Sequence, residues 1–292
     1  MRADLTEEGK LSSQTVQEIK ERVEKDGFCS LCDAFDASML ESYRAEFEAA
    51  WLPLKNRLRE AAVDQDRVFR FRELCSRKSG RYEVASESCG GSFQAVQRVV
   101  EKVLRPLFEH ILGPDAVVHQ ASVITNQPGS EAQHMHRDGP HLFSGTQLPP
   151  HALQVFLPLV AMTEDNGPTH FKPGSHLHES QATGADVALP TVTSWPGIGS
   201  CNVWDYRTLH NGQPNLSPHS RPVMAFTVAK PWWKDDRNAF PSCSVYDPNP
   251  GQGDVPTRLQ ESVFDPMALL DCDPCLGDSD TESAEEEEEP GP

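Results

Sequence analysis

The hydrophobic period of this chain changes once, near residue 116, and that change does most to limit its fold. Before it, apolar residues recur at helical spacing: Val16, Ile19 and Val23; Leu40, Tyr43, Phe47 and Trp51; Phe93, Val96, Val100, Val103 and Leu107. Each set covers one side of a 3.6-residue period, as in a helix packed on a core. Beyond residue 116 the period is two. Leu153, Val155, Leu157 and Leu159 alternate with Gln154, Phe156 and Pro158; Val223, Ala225 and Thr227 alternate with Met224, Phe226 and Val228. Further short runs start at Val117 and hold Val203 and Asp205, separated by Gly, Pro, Asn and Ser. Helices first and short strands afterwards predict a mainly β protein, a jelly roll or β-sandwich with flanking helices.

Local signals place the boundaries. Thr15-Val16-Gln17-Glu18 and Ser38-Met39-Leu40-Glu41 read as capping boxes, and Gly27 as the stop of the first helix before a short strand at 28–31. Pro53 predicts the end or a kink of the second helix. A third helix is expected over 92–112, with Pro106 inside it and Gly113-Pro114 closing it. Residues 55–90 carry Arg67, Arg70, Arg72, Arg77, Lys78 and Arg81 and read as a solvated face or loop, with a substrate-anion contact as the functional alternative. The expected organisation is one domain over 1–270: helices within 13–112, a β core at about 116–232 and an irregular extension over 233–270.

Residues 271–292 hold ten acidic residues and no Lys or Arg, and are expected to be disordered. Setting those ten aside changes the formal charge from -18 to -8, an acidic body that does not suit a phosphate backbone, so no nucleic-acid partner is expected. No run of 18 apolar residues exists, which predicts no membrane span, and the N-terminal residues lack a signal core. A cytoplasmic protein is expected, with its oligomeric state left open. Eight cysteines in such a chain do not suggest a disulfide framework. Cys29/Cys32 and Cys272/Cys275 form two C-x-x-C pairs at opposite ends; buried or idle thiols are the better expectation than a shared zinc site.

The chemistry concentrates in Gln133-His134-Met135-His136-Arg137-Asp138-Gly139. On an extended strand, residues two apart share a face, so His136 and Asp138 can reach one ion together. His134 shares that face and is the rival ligand. A third ligand comes from elsewhere, and His210 in Asp205-Tyr206-Arg207-Thr208-Leu209-His210-Asn211-Gly212 is the candidate. Two histidines and one carboxylate on one side of a metal form the facial triad of non-heme Fe(II) oxygenases. His176 in its Pro-Gly-Ser-His turn reads as structural, and His141, His151, His178 and His219 as loop residues. Asp205 is expected to orient the turn before His210, Arg207 to pair with it or line the pocket, and Trp232 and Trp233 to pack in the core or rim.

Several elements then occur in order: Asp26-Gly27-Phe28; Pro128-Gly129-Ser130; Gln133 and His136-Arg137-Asp138-Gly139; Asn166-Gly167-Pro168; Pro173-Gly174-Ser175-His176; Asp205-Tyr206-Arg207 with His210-Asn211-Gly212; and Arg221-Pro222. His210 lies 72 positions after Asp138, and Arg221 lies 11 after His210. Over roughly residues 15–235 the chain resembles the phytanoyl-CoA dioxygenase family of Fe(II)/2-oxoglutarate oxygenases. The resemblance implies a double-stranded β-helix, a cupin-like jelly roll, and selects His136 over His134. It implies Fe(II) held by His136, Asp138 and His210, with 2-oxoglutarate and O2 at the remaining positions and ascorbate as a supporting reductant. Arg221 is expected to bind the far carboxylate of 2-oxoglutarate through paired hydrogen bonds, with Gln133 and Thr169 adding others. No catalytic residue is expected beyond the metal centre. The implied reaction decarboxylates 2-oxoglutarate to succinate and oxidises, most simply hydroxylates, a C–H bond of a small-molecule or lipid-like substrate. Related halogenases carry a small residue at the carboxylate position, so Asp138 points away from halogenation. The competing readings are a non-catalytic metal-binding jelly roll serving as a sensor or interaction module, and a cupin using another metal without the cosubstrate.

Overall fold

The computed structural model describes residues 1–77, 80–143, 145–178, 189–235 and 238–253. The acidic tail at 271–292 and the Cys272/Cys275 pair lie outside the described residues. Three helices, α1 (Ser13–Asp26), α2 (Ala37–Glu60) and α3 (Phe93–Leu112), precede or flank ten strands. In chain order the strands are β1 (Phe28–Leu31), β2 (Leu74–Ser76), β3 (Arg81–Ala85), β4 (Val117–Asn126) and β5 (Ala152–Pro158). They continue with β6 (Thr169–Phe171), β7 (Val192–Ser194), β8 (Cys201–Asp205), β9 (His210–Gly212) and β10 (Arg221–Ala229).

The helices begin slightly earlier than the two capping boxes predict. Ser12 caps α1 by accepting from the Thr15 backbone N–H at 3.2 Å, and Asp36 caps α2 by accepting from Ser38 at 2.8 Å and Met39 at 3.4 Å. A short polar side chain just ahead of the first turn satisfies orphan donors in either register. Gly27 closes α1 in the left-handed region, at φ 84°. The second helix does not end at Pro53. Leu54 and Leu58 continue the buried stripe of Leu40, Tyr43, Phe47 and Trp51, and this packing outweighs the one hydrogen bond a proline removes.

Seven strands pair in the order β1-β8-β5-β10-β4-β3-β2, and three in the order β7-β6-β9, all antiparallel. The result is mainly β with three helices and a jelly-roll core. Alternation gives the large sheet two unlike faces. On one, Val123, Met224, Phe226, Val155, Leu157 and Val203 join Ile19, Leu40, Phe47, Phe93, Val100 and Leu104 in one hydrophobic core. Deleting a ring such as Phe226, set 6.3 Å from Phe93, costs about 3–5 kcal/mol in such a core.

The opposite face is largely polar. Directly paired residues place Arg81, Asn126 and Arg221 in one row across β3, β4 and β10. Another row runs Gln120, Thr227, Gln154, Trp204 and Phe28 across β4, β10, β5, β8 and β1. The stretch expected as a loop over 55–90 is therefore partly wrong: α2 runs to Glu60, and β2 and β3 extend the large sheet. Its charges are buried rather than solvated at Arg81 (4% exposed) and Glu83 (3%). At Glu83 the cross-strand partners Gln120 and Ser122, distant in sequence, make that burial tolerable.

The six described cysteines are free thiols, and burial pushes Cys29 and Cys75 up to about 11. Among the described residues no helix is long and apolar enough to cross a membrane.

Candidate metal centre

His136 and His210 face each other across an isolated bridge at the edge of the small sheet. Each backbone N–H donates to the other's carbonyl, at 3.0 Å and 2.9 Å, which fixes the two α-carbons as direct neighbours. Their rings lie 4.5 Å apart, centroid to centroid. Each Nδ1 meets a carbonyl two residues earlier: His134 O at 2.8 Å for His136, and Thr208 O at 3.0 Å for His210. A carbonyl only accepts, so each Nδ1 carries a ring proton and each Nε2 is the ring nitrogen turned towards Asp138.

Asp138 completes the group. Its Oδ1 lies 3.9 Å from His136 Nε2 and 3.6 Å from His210 Nε2, and its Oδ2 accepts the Trp204 indole N–H at 3.1 Å. All three donor atoms fall within 4.8 Å of one another, close enough to share one ion. Burial, reinforced by His210, pushes His136 down to about 3, so its imidazole is neutral near pH 7. Burial also raises Asp138, against the pull of His210 and the Trp204 N–H.

The supports reach across the fold. Gly27 at the end of α1 offers its carbonyl to the Asp205 N–H and to the Thr208 hydroxyl, both at 2.9 Å. A Cβ there would sit 2.5 Å from Thr208 Oγ1 and 2.7 Å from His176 Nδ1. Arg207 pairs with Asp205 at 2.9 and 2.6 Å, donates to Leu148 O at 2.8 Å and is only 2% exposed, so it secures the turn. A Cβ at Gly139 would lie 2.5 Å from the Tyr206 ring, whose hydroxyl donates to Asp235 Oδ2 at 2.5 Å.

The other expected residues separate. His134 is exposed and contributes its backbone carbonyl, not its ring. His176 is structural: it is 2% exposed, with Nε2 on Glu24 O at 3.0 Å. His151 is not an ordinary loop residue. It is 2% exposed, its ring lies 5.4 Å from that of Trp233, and burial pushes it down to about 4. Trp233 packs in the core, whereas Trp232 is 61% exposed.

Arg221 is buried at 2% exposure and donates from Nε to Asn166 O at 3.3 Å. Arg81, which the linear motif did not single out, approaches from the other side of Asn126. Its Nη2 donates to the carbonyls of Glu131 at 3.2 Å and Gln213 at 3.4 Å. Among the described residues neither guanidinium has a carboxylate partner, and neither polar side-chain atom of Asn126 has a hydrogen bond. Burial pushes Arg221 down to about 10; burial and then the Arg221 charge hold Arg81 well below its ordinary value. Two buried cations without a counter-charge suit a dianion. Gln133 Oε1 accepts from the Gly212 N–H at 3.1 Å, and a Cβ at Gly212 would lie 2.8 Å from it and 2.5 Å from Arg81 Nη1. Thr169 lies directly opposite Gly212 on β6. Period-two alternation of Arg81, Glu83 and Ala85 with Tyr82 and Val84 is the signal that could have placed Arg81 on a strand.

The donor set and the paired guanidiniums thus fit a divalent metal beside a dicarboxylate. The chain also resembles known proteins in sequence and in fold. The chain is 31% identical over 146 residues to "Dioxygenase aneA" of Aspergillus aculeatus, covering 46% of this chain and 49% of that protein. It is 31% identical over 119 residues to "Dioxygenase cdmA" of Talaromyces verruculosus, covering 35% and 40%. The matches therefore span half or less of these curated relatives. Its fold resembles the non-heme alpha ketoglutarate dependent carbocyclase SnoK from nogalamycin biosynthesis, with TM-score 0.55, 15% identity and 78% and 87% of the two chains covered. It also resembles HygX from Streptomyces hygroscopicus, solved with nickel and 2-oxoglutarate bound, with TM-score 0.54, 12% identity and 76% and 89% covered. Residues 23–223 match the phytanoyl-CoA dioxygenase (PhyH) family, to which this chain belongs.

Proposed function

We propose that this chain is an Fe(II)- and 2-oxoglutarate-dependent dioxygenase that oxidises a C–H bond of a small-molecule substrate. For hydroxylation, substrate, 2-oxoglutarate and O2 yield hydroxylated substrate, succinate and CO2. The observation that carries the reading is a three-donor metal group beside two buried guanidiniums that have no carboxylate partner among the described residues.

In this reading His136 Nε2, Asp138 Oδ1 and His210 Nε2 hold the iron. Arg221 would take the far carboxylate of 2-oxoglutarate, Arg81 would add a second cation, and Gln133 and Thr169 would lend further hydrogen bonds. The iron with its cosubstrate supplies the oxidising power when bound. The chain's own part would be to orient both imidazoles through their Nδ1 bonds and to hold Asp138 through Trp204. The named dioxygenases and the 2-oxoglutarate-bound fold relative support this assignment.

Succinate formation from 2-oxoglutarate, with Fe(II) and ascorbate and no added substrate, tests it. Slow turnover is expected in the wild type and is expected to be lost in His136→Ala and Arg221→Leu. Anaerobic addition of Fe(II) and 2-oxoglutarate is expected to give a visible charge-transfer band. Absence of that band in the wild type would leave the non-catalytic jelly roll as the better reading.

A further inference from the structure

We infer that Trp204 is a positioning residue of the metal centre, tying Asp138 Oδ2 so that Oδ1 alone faces the two histidines. The inference rests on the metal-centre reading and concerns how the carboxylate is held there.

Trp204 lies on β8, in the inner-face row between Gln154 of β5 and Phe28 of β1, and is fully buried. Its indole N–H donates to Asp138 Oδ2 at 3.1 Å. Its ring lies 5.0 Å from that of His210, so one side chain touches two of the three candidate ligands. Edge contacts lock the indole plane: Phe156 at 4.6 Å and 77°, and Phe171 at 5.4 Å and 67°. Phe171 is itself stacked on Phe28 at 4.3 Å and 6°.

An untethered carboxylate swings between one-oxygen and two-oxygen coordination. A charge-assisted bond from a buried, immobile donor opposes that swing. The other oxygen then stays between the imidazoles, 3.6 and 3.9 Å from their Nε2 atoms. A metal held through one oxygen of Asp138 would keep open a position that a chelating carboxylate would occupy. His136 and His210 obtain the same service from backbone carbonyls; Asp138 obtains it from a side chain, where substitution can remove it.

The test uses the full-length metal-free chain and Co(II) alone as probe, under anaerobic conditions, with affinity from calorimetry and coordination from the visible bands. Trp204→Phe removes the N–H but keeps an aromatic ring. Incorporation of benzothienylalanine at 204 replaces the N–H by sulfur and keeps the bicyclic shape. Both are expected to weaken Co(II) binding about 10–100-fold and to alter band intensity, while the benzothienyl protein keeps the wild-type melting temperature without metal. If Trp204→Phe fails to fold, the benzothienyl protein decides. Affinity within about twofold of wild type and unchanged bands in that protein would overturn the inference. A wild type showing no Co(II) binding that His210→Ala removes would overturn the metal-centre reading and this inference with it.

Discussion

Two guanidiniums facing one amide, with no carboxylate among their described partners, set the strongest constraint at the scale of single residues. Arg81 and Arg221 repel each other in a place where water screens little. Arg221→Met should therefore weaken 2-oxoglutarate binding by ~30-fold or more, the effect of truncating one partner of a buried charge pair. Its ligand-free melting temperature should not fall, because Arg81 is relieved of a like charge. Anaerobic calorimetry and thermal melts measure the two quantities; a lower melting temperature with unchanged affinity would mark Arg221 as purely structural. His151 makes a separate prediction. Its folded value is about 4 against an ordinary 6.5, so between those values the unfolded chain binds the extra proton. Stability should be full above about pH 6.5 and decline as pH falls towards 4, by up to ~3 kcal/mol from this residue. His151→Phe, which keeps a ring against Trp233, should flatten that acid limb in melts taken across the range.

Among the elements, the end of α1 has the longest reach. Gly27 adopts φ 84°, and its carbonyl holds Asp205 and Thr208, whose own carbonyl holds His210 Nδ1. Gly27→Ala would set a Cβ 2.5 Å from Thr208 Oγ1 in a backbone region that costs L residues about 1 kcal/mol or more. It should lower the melting temperature and weaken Co(II) binding together, although residue 27 precedes His210 by most of the domain. Unchanged metal affinity would disconnect α1 from the centre. The sequence made Gly27 visible because a helix stop is a local signal. The same holds for His136 and Asp138, whose two-residue spacing is written locally, although the structure forms only an isolated bridge at His136 and no strand there. Arg81 was not visible in that way: its meaning depends on Asn126 and Arg221, which only sheet register brings beside it. Strands β6, β7 and β9, three residues each, are too short to show a period. Pro53 does not stop α2 because Leu54 and Leu58 bury beyond it, a tertiary effect that propensity does not contain.

Across the whole molecule, the two faces of the large sheet divide the labour. The apolar face meets the helices and supplies stability; the polar face meets the candidate ligands Asp138 and His210 through Trp204. Glu83 on that face accepts from Gln120 at 2.7 Å and Ser122 at 2.8 Å and pairs with Arg77. Thr227 donates to Gln154 at 2.7 Å, and the Gln154 amide nitrogen donates to no protein atom among the described residues. A saturated acyl chain laid against this floor would strip water from such groups without replacing its hydrogen bonds, at about 1–3 kcal/mol for each group left unsatisfied. An oxygenated small molecule replaces them. Octanoyl-CoA should therefore fail to accelerate succinate release above the uncoupled rate, despite the acyl-CoA in the family's name. Gln154→Leu with Thr227→Val, which makes the floor apolar while leaving Trp204 and the three candidate ligands in place, should not lower the uncoupled rate. Acceleration by octanoyl-CoA in the wild type would show that the chain finds an apolar path past Gln154, and the substrate class would then be lipid after all.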